Sequence, residues 1–189
     1  MKLLPFEGFI IPGLHFNNCS IWILNWHDNP TPFKKLAEVW VHWFDEKTVC
    51  YLSPGEAKTV FQKYHRFDEI IPANISIEET VEGINIMILR DGQDILTLNL
   101  KFLKSLKYRM INLILNHSNK ERIGEKGKTE TGRYYHNKPK KLIPVFIEKA
   151  ELNGKPLSIA NKPKRNLEIG DGKPSDIPLV NYCTHMLEE

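Results

Sequence analysis

The sequence predicts an α+β domain: a mainly antiparallel curved sheet, or partly closed β-barrel, with about two helices. Three observations carry that prediction. Apolar runs of strand length recur along the 189 residues, separated by turn signals. Two of those signals, Asp91-Gly92 and Asn153-Gly154, are dipeptides that suit two-residue hairpins, because both positions tolerate positive φ. With 12 prolines and 11 glycines, the chain also fits many short elements better than a bundle of long helices.

Taken in order, Ser20–Trp26 reads as a strand ended by His27-Asp28-Asn29-Pro30. Val39–Phe44 reads as another, with Val39, Val41 and Trp43 on one face and Trp40, His42 and Phe44 on the other. Large apolar groups on both faces place it centrally in the sheet, and Val49–Leu52 continues the sheet after a turn. Ser53-Pro54-Gly55-Glu56 then carries helix-start chemistry, and Ala57, Val60, Phe61 and Tyr64 follow at helical spacing, so a helix is expected over 54–65. Residues 74–102 read as a three-strand meander whose last strand alternates Leu96, Leu98, Leu100 and Phe102 with polar residues. In Leu103–Asn116 the apolar residues Leu103, Leu106, Met110, Leu113 and Ile114 fit a helix. Met110–Leu115 also fits a buried strand, and the helix is preferred. Residues 117–141 are polar enough to predict a long basic loop. Strands are expected again at Leu142–Leu152, Lys155–Ala160, Leu167–Ile169 and Ile177–Leu187, with a basic linker at Asn161–Arg165. Pro178 suits an edge or strand-start position.

Composition narrows the class. Hydrophobic residues make up 41% and charged residues 26%, which is a globular balance and suits one domain over residues 1–189. No window approaches the roughly 18 apolar residues of a membrane span, and the apolar run at the start is too short for a signal peptide. Three scattered cysteines, without a Cys-x-x-Cys pair, argue against a disulfide framework, so a cytoplasmic location is expected. The seven histidines form no ligand-type spacing and no serine sits in Gly-x-Ser-x-Gly, so neither a metal nor a cofactor is implied. Nothing in the sequence sets the oligomeric state.

The sharpest compositional signal is charge. Lys101–Lys141 holds 12 Lys or Arg against three Glu, a net of +9 within a chain of overall +3. Such a block predicts an anionic partner or a solvated face. Gly127-Lys128-Thr129 ends like a phosphate loop, but Arg122 stands where that motif needs its first glycine. A looser anion site remains, built from backbone amides, Lys126, Lys128 and Arg133, with Tyr134 and Tyr135 as stacking surfaces. Trp22, Trp26, Trp40 and Trp43 cluster early and suit core packing or an aromatic pocket wall. The leading expectation is a β-lined pocket for a small anionic or amphipathic ligand, contacted by Lys128, Arg133, Tyr134, Tyr135, Trp40 and Trp43, with Lys140 and Lys141 adding charge near its mouth. Non-specific nucleic-acid binding by the basic segment is an alternative.

A second alternative comes from Gly132-Arg133, five residues, then Pro139-Lys140-Lys141-Leu142. This stretch resembles the active-site segment of acetoacetate decarboxylases, although Tyr134 stands where that family carries Glu. The resemblance implies a lysine Schiff-base decarboxylase in which Lys140 forms the imine. Lys141, the neighbouring cation, would then make the free amine easier to obtain.

Overall fold

Twelve strands, numbered here along the chain, join into one sheet in the computed structural model, which describes residues 2–45, 47–118, 124–162 and 169–189. The first five are β1 (Leu3–His15), β2 (Cys19–Asp28), β3 (Leu36–Trp43), β4 (Thr48–Ser53) and β5 (Glu69–Pro72). A meander follows: β6 (Asn74–Glu79), β7 (Gly83–Arg90) and β8 (Gln93–Phe102). The last four are β9 (Glu125–Lys128), β10 (Tyr134–Leu152), β11 (Lys155–Pro156) and β12 (Leu179–Glu188). Among the described residues, two α-helices accompany them, α1 (Lys58–Phe61) and α2 (Leu106–His117).

The strand order is β5-β4-β3-β2-β1-β12-β10-β8-β7-β6, with β9 and β11 added to β10. Among the described residues, every pairing is antiparallel except β4 with β5. The two edge strands, β5 and β6, are consecutive in the chain with only Ala73 between them, and the Ala73 N–H donates to the Leu52 carbonyl at 3.0 Å. The sheet therefore curls until its edges come together, giving the nearly closed barrel that the strand pattern predicts.

Side-chain alternation sorts the apolar residues into two cores. Ile21 and Ile23 of β2, with Val39 and Val41 of β3, face Ile84, Ile86 and Ile88 of β7 and fill the space inside the curved sheet. The intervening residues Trp22, Leu24, Trp26, Leu36 and Trp40 point the other way into a second core. That core is covered by Ala57, Phe61 and Tyr64 from around α1 and by Tyr135 and Ile169. Both faces of β2 and β3 are thus buried, as the two-sided pattern at Val39–Phe44 implies.

Hairpin chemistry holds at both expected turns. Asp91 and Gly92 have φ of 51° and 76° between β7 and β8, and Asn153 and Gly154 have 52° and 71° between β10 and β11.

Several expectations need correction. Strand β1 lies outside them: Pro5, Gly8, Pro12 and Gly13 interrupt its alternation, yet it is central, paired with both β2 and β12. The predicted helix over 54–65 shrinks to a 3-10 turn at Gly55–Ala57 followed by one turn of α1. Ser53 cannot cap it, because it is still paired with Ala37 as the last residue of β4, and Pro54 is extended. The largest change concerns the expected loop over 117–141. Glu125–Lys128 forms β9, and Tyr134–Lys141 is the first part of β10, because β12 and β9 supply backbone partners on either side. Polarity at the sheet's outer surface is compatible with a strand, since only one face needs to be apolar. Of Lys155–Ala160, only Lys155–Pro156 is strand. Leu167 and Glu168 of the expected Leu167–Ile169 strand, and Pro163, Lys164 and Arg165 of the basic linker, lie outside the described residues.

Shortening Ile86, fully enclosed in the inner core, is expected to cost about 2–5 kcal/mol as Ile86→Ala. Val81→Ala, at an exposed turn, should stay within about 0.5 kcal/mol. Urea unfolding followed by circular dichroism measures both.

Candidate functional site

The second core does not close completely. A cavity of about 100 Å³ opens between the outward faces of β1–β3, β10 and β12 and the β9–β10 hairpin. Its walls are aromatic because β2 and β3 pair Trp22 directly with Trp40, and the two indoles stack with centroids 6.1 Å apart. Opposite them His185 lies between Trp26 and Tyr135, stacked on each at 5.7 and 5.4 Å. His65, from the chain just after α1, sits 4.5 Å from the Trp40 ring.

Polar residues also surround this hollow. Trp22, Asn137, Asn181 and His185 all line the cavity, and each carries a buried polar atom, Trp22 Nε1, Asn137 Oδ1, Asn181 Oδ1 and His185 Nδ1, that finds no hydrogen-bond partner among the described residues. Unpartnered buried polar atoms are uncommon, since each forfeits its hydration without replacement. Four such atoms thus belong to residues grouped around one space. The Tyr135 hydroxyl is near the Glu125 carboxylate, and burial together with that charge raises its pKa. Burial, with repulsion from His65 and His136, drives the His185 pKa down to about 3, so this imidazole is neutral at physiological pH.

Behind the wall lies Glu38, a fully enclosed carboxyl on β3. It accepts the Trp26 indole N–H at 3.1 Å and the Trp40 indole N–H at 2.9 Å. Burial pushes its pKa up to about 8, and the two donors offset only part of that rise. One acid therefore sets the orientation of two rings, one walling the cavity and one backing His185.

The basic stretch plays a different part from the one expected. The turn between β9 and β10 docks on the residues after α1: Thr131 Oγ1 donates to the Lys63 carbonyl at 2.6 Å, and Glu130 Oε2 meets His65 Nδ1 at 2.8 Å. Its amides are already committed, Lys128 N–H to Asp171, Thr129 N–H to the Arg133 carbonyl and Gly132 N–H to the Thr129 carbonyl. Those amides are not open to an external anion. Gly127 is required because a Cβ there would come within 2.6 Å of Asp171 and 3.0 Å of the Tyr135 ring.

Of the residues picked from sequence, Tyr135 and Trp40 line the cavity. Trp43 faces the inner core instead, because alternation along β3 puts it opposite Trp40. Arg133 is exposed and donates to the Glu189 carbonyl at 2.8 Å; Tyr134 is half-buried and its N–H donates to Glu188; the Lys128 side chain is exposed. Lys140 is the extra residue at a bulge in the β10–β12 pairing and is ion-paired with Glu7. Burial alone would raise the Glu7 pKa, but hydrogen bonds from Lys140 and Thr184 and the Lys140 charge outweigh it and lower it. Lys141 is exposed, 6.0 Å from the centre of the Tyr182 ring. None of Lys128, Arg133, Lys140 and Lys141 is among the residues that line the cavity. Among the described residues, the lysine that does border it is Lys173, which the sequence reading passed over. Asn137, Asn181 and His185 were also missed. They lie on neighbouring strands, Leu142 pairing Asn181 and Asn137 pairing His185, a juxtaposition that depends on long-range register.

No family model and no curated protein matches the sequence. Among solved structures, the chain is similar to the acetoacetate decarboxylase of Legionella pneumophila subsp. pneumophila str. Philadelphia 1, with a TM-score of 0.55 and 12% sequence identity. The match covers 98% of this chain and 84% of that one. At this identity the likeness establishes the fold, a strand-rich barrel, and the local resemblance at Gly132–Leu142 has a counterpart in the architecture of the whole chain.

The Glu38 and His185 shifts predict opposite pH effects. Between about pH 4.5 and 8 the folded state holds a Glu38 proton that the unfolded state has lost, so this group's contribution to stability falls as pH rises. Between about pH 3 and 6.5 the unfolded state binds a proton that folded His185 refuses, so that contribution rises with pH. The window from pH 6.5 to 8 isolates Glu38. Stability should decline there by on the order of 1 kcal/mol per pH unit, and Glu38→Gln should flatten the decline in urea titrations.

Proposed function

We propose that the chain binds a small, uncharged, amphipathic molecule in the cavity walled by Trp22, Trp40, Tyr135 and His185. The observation that carries this reading is that four residues around one aromatic hollow, Trp22, Asn137, Asn181 and His185, each keep a buried polar atom without a partner. A flat ligand could lie against the stacked rings while offering both donors and acceptors to these atoms. A cavity of about 100 Å³ limits it to a few heavy atoms.

Neutrality follows from the electrostatics. At pH 7 His185 is uncharged, and the elevated Glu38 pKa favours its neutral acid as well. Of the cations expected to receive an anion, Lys140 is paired with Glu7 and Arg133 with the Glu189 carbonyl, and Lys128 and Lys141 are not among the residues that line the cavity. Lys173 borders the cavity, but Glu125 lines it too, so an anion entering there would lose hydration without gaining a net counter-charge, which is costly. This favours the amphipathic branch of the sequence expectation over the anionic one.

The Schiff-base reading has the barrel likeness in its favour. It needs an amine that is desolvated and in reach of the substrate. Lys140 is partly exposed and ion-paired with Glu7, away from the cavity lining. That is why binding, rather than decarboxylation at Lys140, is the reading adopted.

Acetoacetamide and acetoacetate are similar in size and differ in charge, so a tryptophan-fluorescence titration with each separates the readings. The amide should bind saturably and at least about tenfold more tightly, consistent with the cost of burying an unpaired charge. Preference for the anion, or no saturable binding of either, defeats the proposal. Borohydride trapping of a Lys140 adduct with acetoacetate would instead support the enzyme.

A second measurement concerns the cost of the site. Asn137→Leu replaces a side chain whose buried Oδ1 has no partner with an apolar group of similar size, so the free protein should gain roughly 1 kcal/mol of stability while losing ligand affinity. Thermal unfolding with and without acetoacetamide reads both effects.

A further inference from the structure

Helix α2 carries apolar side chains around most of its circumference, a pattern that normally belongs to a helix covered on all sides. Its inner side is anchored to β10. Leu115 is buried, and Asn112 makes a two-point bond with the Leu142 backbone: Nδ2 donates to the carbonyl at 2.9 Å, and Oδ1 accepts the N–H at 2.8 Å. The amide side chain thus satisfies a stretch of strand backbone and fixes how the helix is rotated.

That rotation leaves the opposite face bare. Leu106, Met110, Leu113 and Ile114 are 73%, 58%, 59% and 60% exposed. Their spacing of four, seven and eight residues places them in one stripe. Lys107 and Arg109 fall on the two flanks of that stripe, and Lys104 just precedes the helix. From Lys101 to Ser118 there is no acidic residue, and the first helical turn has no carboxylate to answer its N–H groups.

We propose that this face of α2 docks on an anionic lipid surface, with the helix lying in the interfacial plane. Charge decides the occupant. A second copy would bring the same basic flanks to the same stripe, and this helix offers no acid to pair with them. Anionic headgroups supply the missing counter-charge, and long basic side chains on both flanks of the stripe have the reach to meet them. The geometry is that of a helix lying on a membrane. At 12 residues α2 is too short to cross one, and no helix among the described residues is long and apolar enough to do so. The proposal is independent of the cavity.

Flotation of the full chain with vesicles tests it. Vesicles of phosphatidylcholine and phosphatidylglycerol at about two to one should carry the protein up, with at least about tenfold less binding to phosphatidylcholine alone. The double substitution Lys107→Glu, Arg109→Glu alters only flanking charge and should lower binding to the mixed vesicles at least about tenfold. Leu106→Ser with Leu113→Ser should do the same, with unchanged circular dichroism confirming the fold. Equal binding to both vesicle types, or binding unaffected by the charge reversals, overturns the proposal. So does light scattering that shows a dimer dissociated by Met110→Glu, which would assign the face to a second copy.

Discussion

Two-sided burial of β2 and β3 is the constraint on which the remaining architecture depends. Isoleucine and valine on one face fill the curved sheet, while Trp22, Leu24, Trp26 and Trp40 on the other would lie bare unless something covered them. Leaving such surface in water forfeits about 25 cal/mol per Å² of apolar area. The segment around α1, the β9–β10 hairpin and the chain near Ile169 supply the cover. The inner core is a close-fitting layer of aliphatics. The outer one is assembled from separate pieces of chain, and the hollow occurs where those pieces meet over the aromatic rings.

Glu38 shows how that outer layer is organised. An enclosed carboxyl is costly on its own, and here it is partly compensated by two indole N–H groups from adjacent strands. The bonds restrict both rings to one orientation. Trp40 then presents its face to Trp22 and His65, and Trp26 supports His185. A buried acid, two tryptophans and a histidine kept neutral by desolvation frame a hollow whose surroundings are suited to stacking and hydrogen bonding.

The basic segment illustrates why a compositional signal and a site are different things. Its positive charge is real, but the fold disperses it: Lys140 to Glu7, Arg133 toward Glu189, and Lys107 and Arg109 to the flanks of a helix. Its uncharged members do more at the cavity, Tyr135 as a wall and Thr131 as the tie that holds the covering hairpin down. The likeness to a solved decarboxylase is one of fold, and fold alone does not set function.

Local physics made much of the fold legible. Alternating apolar residues with Asp91-Gly92 between them determine the β7–β8 hairpin, Asn153-Gly154 determines the next turn, and helical spacing within Leu103–Asn116 marks α2. The aromatic wall was legible in part, because alternation along β3 puts Trp40 and Trp43 on opposite faces even though it does not say which face holds the cavity. Strand β1 and the first half of β10 were hidden by prolines, glycines and charge, since their strand character comes from neighbours on both sides. The register that brings Asn137 beside His185, and the bulge that turns Lys140 toward Glu7, are set by pairing between residues far apart in the chain. Sequence alone therefore determined the repertoire of strands and turns, which depend on neighbouring residues. Only the tertiary structure decided which polar groups share an enclosed space, because that depends on how distant strands align.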